Sequence, residues 1–86
     1  MNNTLIKLYQ PNCAPCEVLA RHLEGRDIPH ESINAQEHPE KTIEFSVRKV
    51  PTLVVIDSEG NMVDTLRGFK GLDEVDAFLE GNGFSE

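Results

Sequence analysis

The chain has 86 residues, which suffices for one compact domain and is too short for two. Its 15 Asp and Glu residues outnumber its 8 Lys and Arg residues, and the formal net charge of -7 disfavours nucleic acid and anionic membranes as partners. No apolar stretch approaches the roughly 20 residues that span a bilayer. We therefore expect a cytoplasmic monomer, with residues 1–86 as a single domain, whose protein partners present a basic docking face.

The first third of the chain predicts a strand followed by a helix. Residues 5–9 are apolar and aromatic enough for a strand, and residues 10–12, which include Pro11, end it. After Cys13 the apolar residues recur at the spacing of a helix, at Val18, Leu19 and Leu23. Gly25 then offers a stop for this helix.

The middle of the chain predicts a second, shorter strand and a second helix. The strand spans residues 31–35, with Ile33 pointing inward. Pro39 suits the first turn of a helix, because the N–H that proline lacks would have no partner there. We expect Ile43 and Val47 on the buried side of this helix.

The last third of the chain predicts a hairpin and a final helix. Residues 53–56 are continuously apolar, as in a central strand that is covered on both faces. Residues 57–61 supply turn chemistry, and residues 62–67 form the antiparallel return strand. A helix over residues 72–80 carries one apolar stripe, formed by Leu72, Val75, Phe78 and Leu79. Its solvated face is expected to carry Asp73, Glu74, Asp76 and Glu80.

The predicted order of strands and helices, βαβαββα, belongs to the α/β class. A strand-helix-strand unit of this length favours two parallel strands. Open α/β sheets usually place their functional sites at the carboxyl ends of strands, where the loop after residue 9 lies. That loop leads into Cys13-Ala14-Pro15-Cys16, hereafter the CxxC motif.

The CxxC motif contains both cysteines of the chain. A disulfide within it closes a very short loop and removes little entropy from the unfolded chain, so the pair is not a staple between distant segments. At the N-cap of a helix, Cys13 would face free N–H groups and the positive end of the helix dipole, which favour its nucleophilic thiolate. Cys16, one turn inside the helix, is expected to be less exposed and to resolve a mixed disulfide. Pro15 restricts the loop between them, and the small Ala14 leaves Cys13 uncovered.

Two other interpretations of the cysteine pair stay open, an inert local bridge and a metal site. A structural zinc ion takes four ligands, and one CxxC motif supplies two. His22, His30 and His38 lack the His-x3-5-His spacing that would complete such a site. We therefore predict no metal, and we assign the three histidines surface or helix-end roles.

Three segments of the chain resemble thioredoxins. The CxxC motif is similar to the Cys-Gly-Pro-Cys site of that family, with Ala in place of Gly. Residues 46–53 (Ser-Val-Arg-Lys-Val-Pro-Thr-Leu) resemble the segment that leads to the family's cis-proline, and residues 67–72 (Arg-Gly-Phe-Lys-Gly-Leu) resemble its glycine-bearing loop. The resemblance implies a minimal thioredoxin fold, with a four-stranded mixed sheet flanked by three helices. The family's initial strand and helix do not precede the motif, and this trimmed layout is similar to that of glutaredoxins.

The resemblance also implies an activity, the reduction of protein disulfides through a redox-active disulfide between Cys13 and Cys16, without a cofactor. It implies further that Val50 and Pro51 form a cis peptide facing the motif, and that the Val50 backbone pairs with an extended substrate segment. The remaining substrate contacts implied by the resemblance are Ala14, Pro15 and Gly68.

The partners implied by the resemblance are disulfide-containing proteins, with ribonucleotide reductase as one client, and thioredoxin reductase as the source of electrons. A glutaredoxin recharged by glutathione is the alternative enzyme, although the Cys-Pro-Tyr-Cys site of that family is absent. Asp73 and Glu74 compare with the acidic pair by which glutaredoxins hold glutathione. A non-catalytic protein-binding module is the alternative outside the enzymes.

The chain departs from the thioredoxin pattern at several positions around the motif. It has no Trp, where the family carries an aromatic-rich approach to the first cysteine, and Tyr9 is expected in the core or on a substrate platform. Lys7 occupies the place of a buried carboxylate credited with proton transfer for the resolving thiol. Lys7 either is solvated or lies near the thiols, where its charge would favour thiolate. Glu17, beside Cys16, acts in the opposite direction.

Overall fold

The chain follows the predicted order βαβαββα in a computed structural model that describes residues 2–84. The strands are β1 (Thr4–Tyr9), β2 (Glu31–Asn34), β3 (Thr52–Ile56) and β4 (Met62–Arg67). The helices are α1 (Ala14–Gly25), α2 (Pro39–Glu44) and α3 (Leu72–Gly81). None of the helices within residues 2–84 is long and apolar enough to cross a membrane.

The four strands form one mixed sheet in the order β2-β1-β3-β4. β1 pairs in parallel with β2, as predicted, and antiparallel with β3, which in turn pairs antiparallel with β4. β1 and β3 are therefore the central strands, which agrees with their nearly continuous runs of buried residues. This topology confirms the minimal thioredoxin fold that the resemblance implies.

The helices cover the two faces of the sheet with separate hydrophobic clusters. The cluster between the sheet and helices α1 and α3 consists of Leu5, Leu19, Leu23, Ile28, Leu53, Val55, Val75 and Leu79. The cluster on the opposite face consists of Ile6, Leu8, Phe45 and Val54. The predicted stripe of α3 is confirmed for Val75 and Leu79, which are buried, and for Phe78, which packs against the first cluster.

The prediction for the buried side of α2 is wrong at Ile43. Ile43 is 79% exposed, whereas Phe45, the residue after the helix, is 3% exposed. α2 has only six residues, and the chain leaves it through a positive φ of 55° at Ser46. The ring of Phe45, rather than Ile43, therefore belongs to the hydrophobic cluster on this face of the sheet. Val47 packs partly against the same cluster, as predicted.

Two further residues lie on other faces of their helices than predicted. Val18 is 40% exposed, because one position before Leu19 it lies off the side that Leu19 turns towards the sheet. Asp76 is not on the solvated face of α3. Its carboxylate is hydrogen bonded to Nε2 of His22 at 2.7 Å and lies 3.3 Å from the guanidinium of Arg26. This network ties the end of α1 to α3, and it gives His22 a structural role.

Truncating Phe45 tests its assignment as the core residue of this face. We expect Phe45→Ala to lower the free energy of unfolding by about 3–5 kcal/mol, because a buried aromatic ring leaves a cavity. Ile43→Ala, two residues earlier and exposed, should stay within about 0.5 kcal/mol. Urea unfolding followed by circular dichroism measures both. Equal losses for the two variants would contradict the assignment.

Candidate active site

The CxxC motif begins α1, as the sequence predicts. The loop after β1 turns through a positive φ of 59° at Asn12, a conformation that Asn tolerates, and Cys13 follows as the extended N-cap residue. The Cys13 sulfur accepts a hydrogen bond from the backbone N–H of Cys16 at 3.2 Å, which satisfies one free donor of the first turn. Pro15 sits in that turn, where its missing N–H costs no helical hydrogen bond.

The two cysteines differ in exposure. They form a disulfide, with their Cα atoms 5.2 Å apart. Cys16 is 4% exposed, whereas Cys13 is half-buried and is followed by the exposed Ala14 and Pro15. A substrate sulfur can therefore approach Cys13 and is shielded from Cys16.

Val50 and Pro51 lie at the same end of the sheet as the CxxC motif. Thr52, the next residue, pairs with Leu8 near the end of β1, and the CxxC motif follows that strand. The Val50–Pro51 peptide bond is cis, as the resemblance implies. Pro51 is buried and Val50 is half-buried.

Gly68 joins the segment around Pro51 from the end of β4. Its N–H donates a hydrogen bond to the Pro51 carbonyl at 3.0 Å. Its φ is +83°, a conformation that residues with a side chain rarely adopt. A Cβ atom at this position would lie 2.9 Å from Cδ of Lys49, so the Lys49 side chain extends across Gly68. Glycine is thus favoured at position 68 for two local reasons, its positive φ and the close approach of Lys49, besides the substrate contact that the resemblance implies.

Positive charge surrounds the segments at this end of the sheet. Arg48, Lys49 and Lys70 are exposed, and none of them lies within 4 Å of a carboxylate among residues 2–84. Arg67 donates instead to the backbone carbonyls of Ser46 and Phe45, at 3.1 and 3.3 Å. We did not assign these cations to the site from the sequence, although they adjoin the predicted substrate contacts along the chain.

A cavity of about 360 Å³ lies behind the motif, between α1 and the sheet. Its lining residues include Lys7, Tyr9, Cys16, Glu17, Ala20 and Ser32. Lys7 is 5% exposed and its ammonium lies 5.7 Å from the centre of the Tyr9 ring, so Lys7 is not a solvated strand residue. Burial lowers the pKa of Lys7 from its usual 10.5, and the negative charge of Glu24 partly opposes this shift.

No group of three or more His, Cys, Asp or Glu side chains within residues 2–84 is arranged to hold a metal ion. The three histidines lie apart, and each bonds to a neighbouring group. His22 contacts Asp76, His30 contacts the Ile28 carbonyl, and His38 contacts Glu40. His22 lies in the last turn of α1 and His38 at the N-cap of α2, which are helix-end positions of the kind predicted for the histidines.

Comparison with known proteins finds relatives in both sequence and structure. A sequence model of the thioredoxin family matches residues 1–81. The SPbeta prophage-derived thioredoxin-like protein YosR of Bacillus subtilis (strain 168) is 37% identical over 76 residues, which cover 88% of this chain and 94% of that protein. Mitochondrial thioredoxin of Mus musculus is 31% identical over 74 residues, which cover 79% of this chain and 44% of that protein. A mutant thioredoxin from Halobacterium salinarum NRC-1 matches with a TM-score of 0.75 and 26% identity, over 98% of this chain and 75% of that chain.

An α/β fold with a disulfide-linked cysteine pair at the start of its first helix defines a thiol-disulfide oxidoreductase. The family match covers nearly the whole chain, and the bacterial relative is covered almost end to end. The chain belongs to the thioredoxin family.

Replacing Gly68 tests whether the close approach of Lys49 matters for the site. Gly68→Ala should lower stability by about 1–2 kcal/mol, since an L-residue is strained at this φ. It should also slow the reduction of insulin disulfides several-fold, because the Lys49 side chain must move. Gly60→Ala is the matched control, with a φ of +86° and nothing within 4 Å of its added Cβ. Equal effects of both variants on insulin reduction would contradict a role for Gly68 in the site.

Replacing Lys7 tests the consequence of its lowered pKa for stability. Between the lowered pKa and 10.5 the unfolded chain binds more protons at Lys7 than the folded chain, so wild-type stability rises with pH across this window. Lys7→Met removes the cost of burying the charge. We therefore expect the oxidised variant to be more stable than wild type at pH 7, with a gain that shrinks towards pH 10.5. Urea unfolding at pH 7, 8, 9 and 10 measures this difference, and a constant or growing gain would contradict it.

Proposed function

We propose that this thioredoxin-family chain reduces disulfides in other proteins, with Cys13 as the attacking thiolate and Cys16 as the resolving thiol. The observation that carries the proposal is the difference in exposure within the CxxC motif, since Cys13 is open at the helix N-terminus and Cys16 is 4% exposed. The helix N-terminus supports the assignment, because its N–H groups and dipole favour a thiolate at Cys13. We infer that Ala14, Pro15, Val50 and Gly68 contact the substrate around this sulfur.

The reaction takes two exchange steps. The Cys13 thiolate attacks one sulfur of the substrate disulfide, and the other substrate sulfur leaves with the electron pair and takes a proton from water. The Cys16 thiolate then attacks the Cys13 sulfur, which breaks the bond to the substrate and releases its second thiol. Two electrons pass from the dithiol to the substrate. The Cys13–Cys16 disulfide of this structure is the product on the enzyme's side.

Trapping the intermediate tests the assignment of the two roles. Cys16→Ser should accumulate a mixed disulfide with a protein substrate through Cys13, because the resolving thiol is gone. Cys13→Ser should accumulate little adduct, because Cys16 is shielded. Mass spectrometry of the digested adducts locates the bond. An adduct that forms preferentially through Cys16 would reverse the roles.

The electron source is proposed to be thioredoxin reductase, since the chain belongs to the thioredoxin family. Oxidised protein should recover two thiols rapidly with NADPH and thioredoxin reductase, and slowly with glutathione at the same potential. Counting free thiols with a chromogenic disulfide reagent follows both reactions. Rapid recovery with glutathione alone would identify a glutaredoxin-type cycle instead.

Ribonucleotide reductase is the client that we propose, and the cytoplasm is the proposed location, because compact redoxins of this layout commonly serve that enzyme. Turnover of ribonucleotide reductase without dithiothreitol should depend on this chain, NADPH and thioredoxin reductase. Cys13→Ser should abolish that turnover. Insulin reduction without any deoxynucleotide formation would retain the disulfide reductase and exclude this client.

A further inference from the structure

Lys7 is a mostly buried residue whose ammonium has no carboxylate in direct contact among residues 2–84. It lies in the middle of β1, and its side chain is 5% exposed on the face covered by α1. No carboxylate of residues 2–84 lies within 4 Å of its ammonium, and the ammonium nitrogen is not among the fully buried polar atoms that lack a partner. Its near neighbour is the Tyr9 ring, whose face attracts cations weakly. The fold therefore holds a positive charge that it does not neutralise by direct contact.

The cavity behind the CxxC motif relates this charge to the chemistry. Lys7 and Cys16 line the same cavity of about 360 Å³, which is large enough to hold several water molecules. Cys13 does not line it. The lysine therefore shares this cavity with the resolving cysteine and not with the attacking one.

The resolving step has an electrostatic requirement that the CxxC motif alone does not meet. Cys16 must become a thiolate before it attacks the mixed disulfide, and burial disfavours the charged form of a thiol. Once Cys13 is bonded to substrate, the positive end of the α1 dipole lies beside a Cys13 sulfur that no longer carries charge. A further positive charge near Cys16 would favour its thiolate.

We propose that Lys7 is a positioning residue for charge in the resolving step, and that its ammonium stabilises the Cys16 thiolate across the shared cavity. This proposal rests on the resolving role of Cys16 proposed above. The Cys16 proton leaves to cavity water, and the electron pair stays on sulfur. The thiolate then forms the bond to the Cys13 sulfur while the bond from Cys13 to the substrate breaks. The substrate sulfur leaves with the electron pair of the broken bond and is protonated by water.

The other groups around Lys7 set the background for this effect. The charged or titratable ones are Glu17 and Glu24 on α1 and Tyr9 on β1, while β2 contributes Ser32 and β3 the apolar Leu53. Glu17 lines the cavity but is mostly exposed, and it lies 3.8 Å from Arg21. Glu24 stabilises the charged form of Lys7. Glu24 thus favours the charged lysine, whereas Glu17, beside Cys16, opposes a thiolate there. Lys7 is the cation among the residues that line the cavity.

The titration of Cys16 tests the proposal apart from turnover. In a Cys13→Ser background the single remaining thiol is Cys16, and its thiolate absorbance near 240 nm gives its midpoint. We expect Lys7→Met to raise this midpoint by about one pH unit or more, the effect of removing one nearby opposite charge. Below both midpoints the thiolate fraction then falls about tenfold. In chains that keep Cys13, the Lys7→Met change should slow the resolution of a Cys13 mixed disulfide by about the same factor.

Two control variants separate the effect of the positive charge at residue 7 from the effects of side-chain packing and of the overall net charge. Lys7→Arg keeps the positive charge and should hold the midpoint near that of wild type. Lys41→Met removes a cation on α2, away from the cavity, and should leave the midpoint unchanged. Circular dichroism confirms that each variant is folded. A midpoint in Lys7→Met that stays at the wild-type value, or falls, would overturn the proposal whether or not the wild type reduces insulin.

Discussion

The position of β1 in the middle of the sheet is the constraint on which the site depends. β1 pairs with β2 on one side and β3 on the other, so its backbone is fixed along its whole length. The CxxC motif follows after a short loop, and the pairing of Leu8 with Thr52 brings the segment before β3 to the same end of the sheet. The hydrogen bond from Gly68 to Pro51 adds the end of β4. Three separated stretches of sequence thus meet because one strand is held from both sides.

The parts of this arrangement that local chemistry determines could be predicted from the sequence. Pro15 and the spacing of the cysteines indicate a helix that begins at Cys13, and the apolar run of β3 indicates a central strand. Both of these predictions rest on patterns within a few neighbouring residues. The fold class followed from the order of such segments, and the cis peptide at Pro51 followed from family resemblance and not from the residues alone.

The predictions that failed concern residues whose burial depends on packing between distant segments of the chain. Ile43 and Phe45 are both apolar, and a six-residue helix is too short for periodicity to show which of them faces the sheet. Asp76 looks like a surface residue until α1 brings His22 and Arg26 to it. Lys7 carried a usable signal, since alternation along β1 places it on the same face as Leu5. Because the side chain is charged, the sequence could not decide between a solvated and a buried Lys7. The structure shows that Lys7 is buried.

The Lys7 ammonium, which has no salt bridge among residues 2–84, affects the two redox states of the protein differently. In the oxidised protein the sulfurs carry no charge, so the cost of desolvating Lys7 is offset only by Glu24 and the Tyr9 ring. When Cys16 becomes a thiolate, the same ammonium gains an opposite charge across the cavity. Stabilising the reduced form makes a dithiol less reducing, as the comparison among CxxC proteins shows. If Lys7 acts as proposed, it speeds the release of the substrate but lowers the reducing power of the dithiol and the stability of the oxidised fold. A carboxylate in its place would instead repel the thiolate that it helps to form.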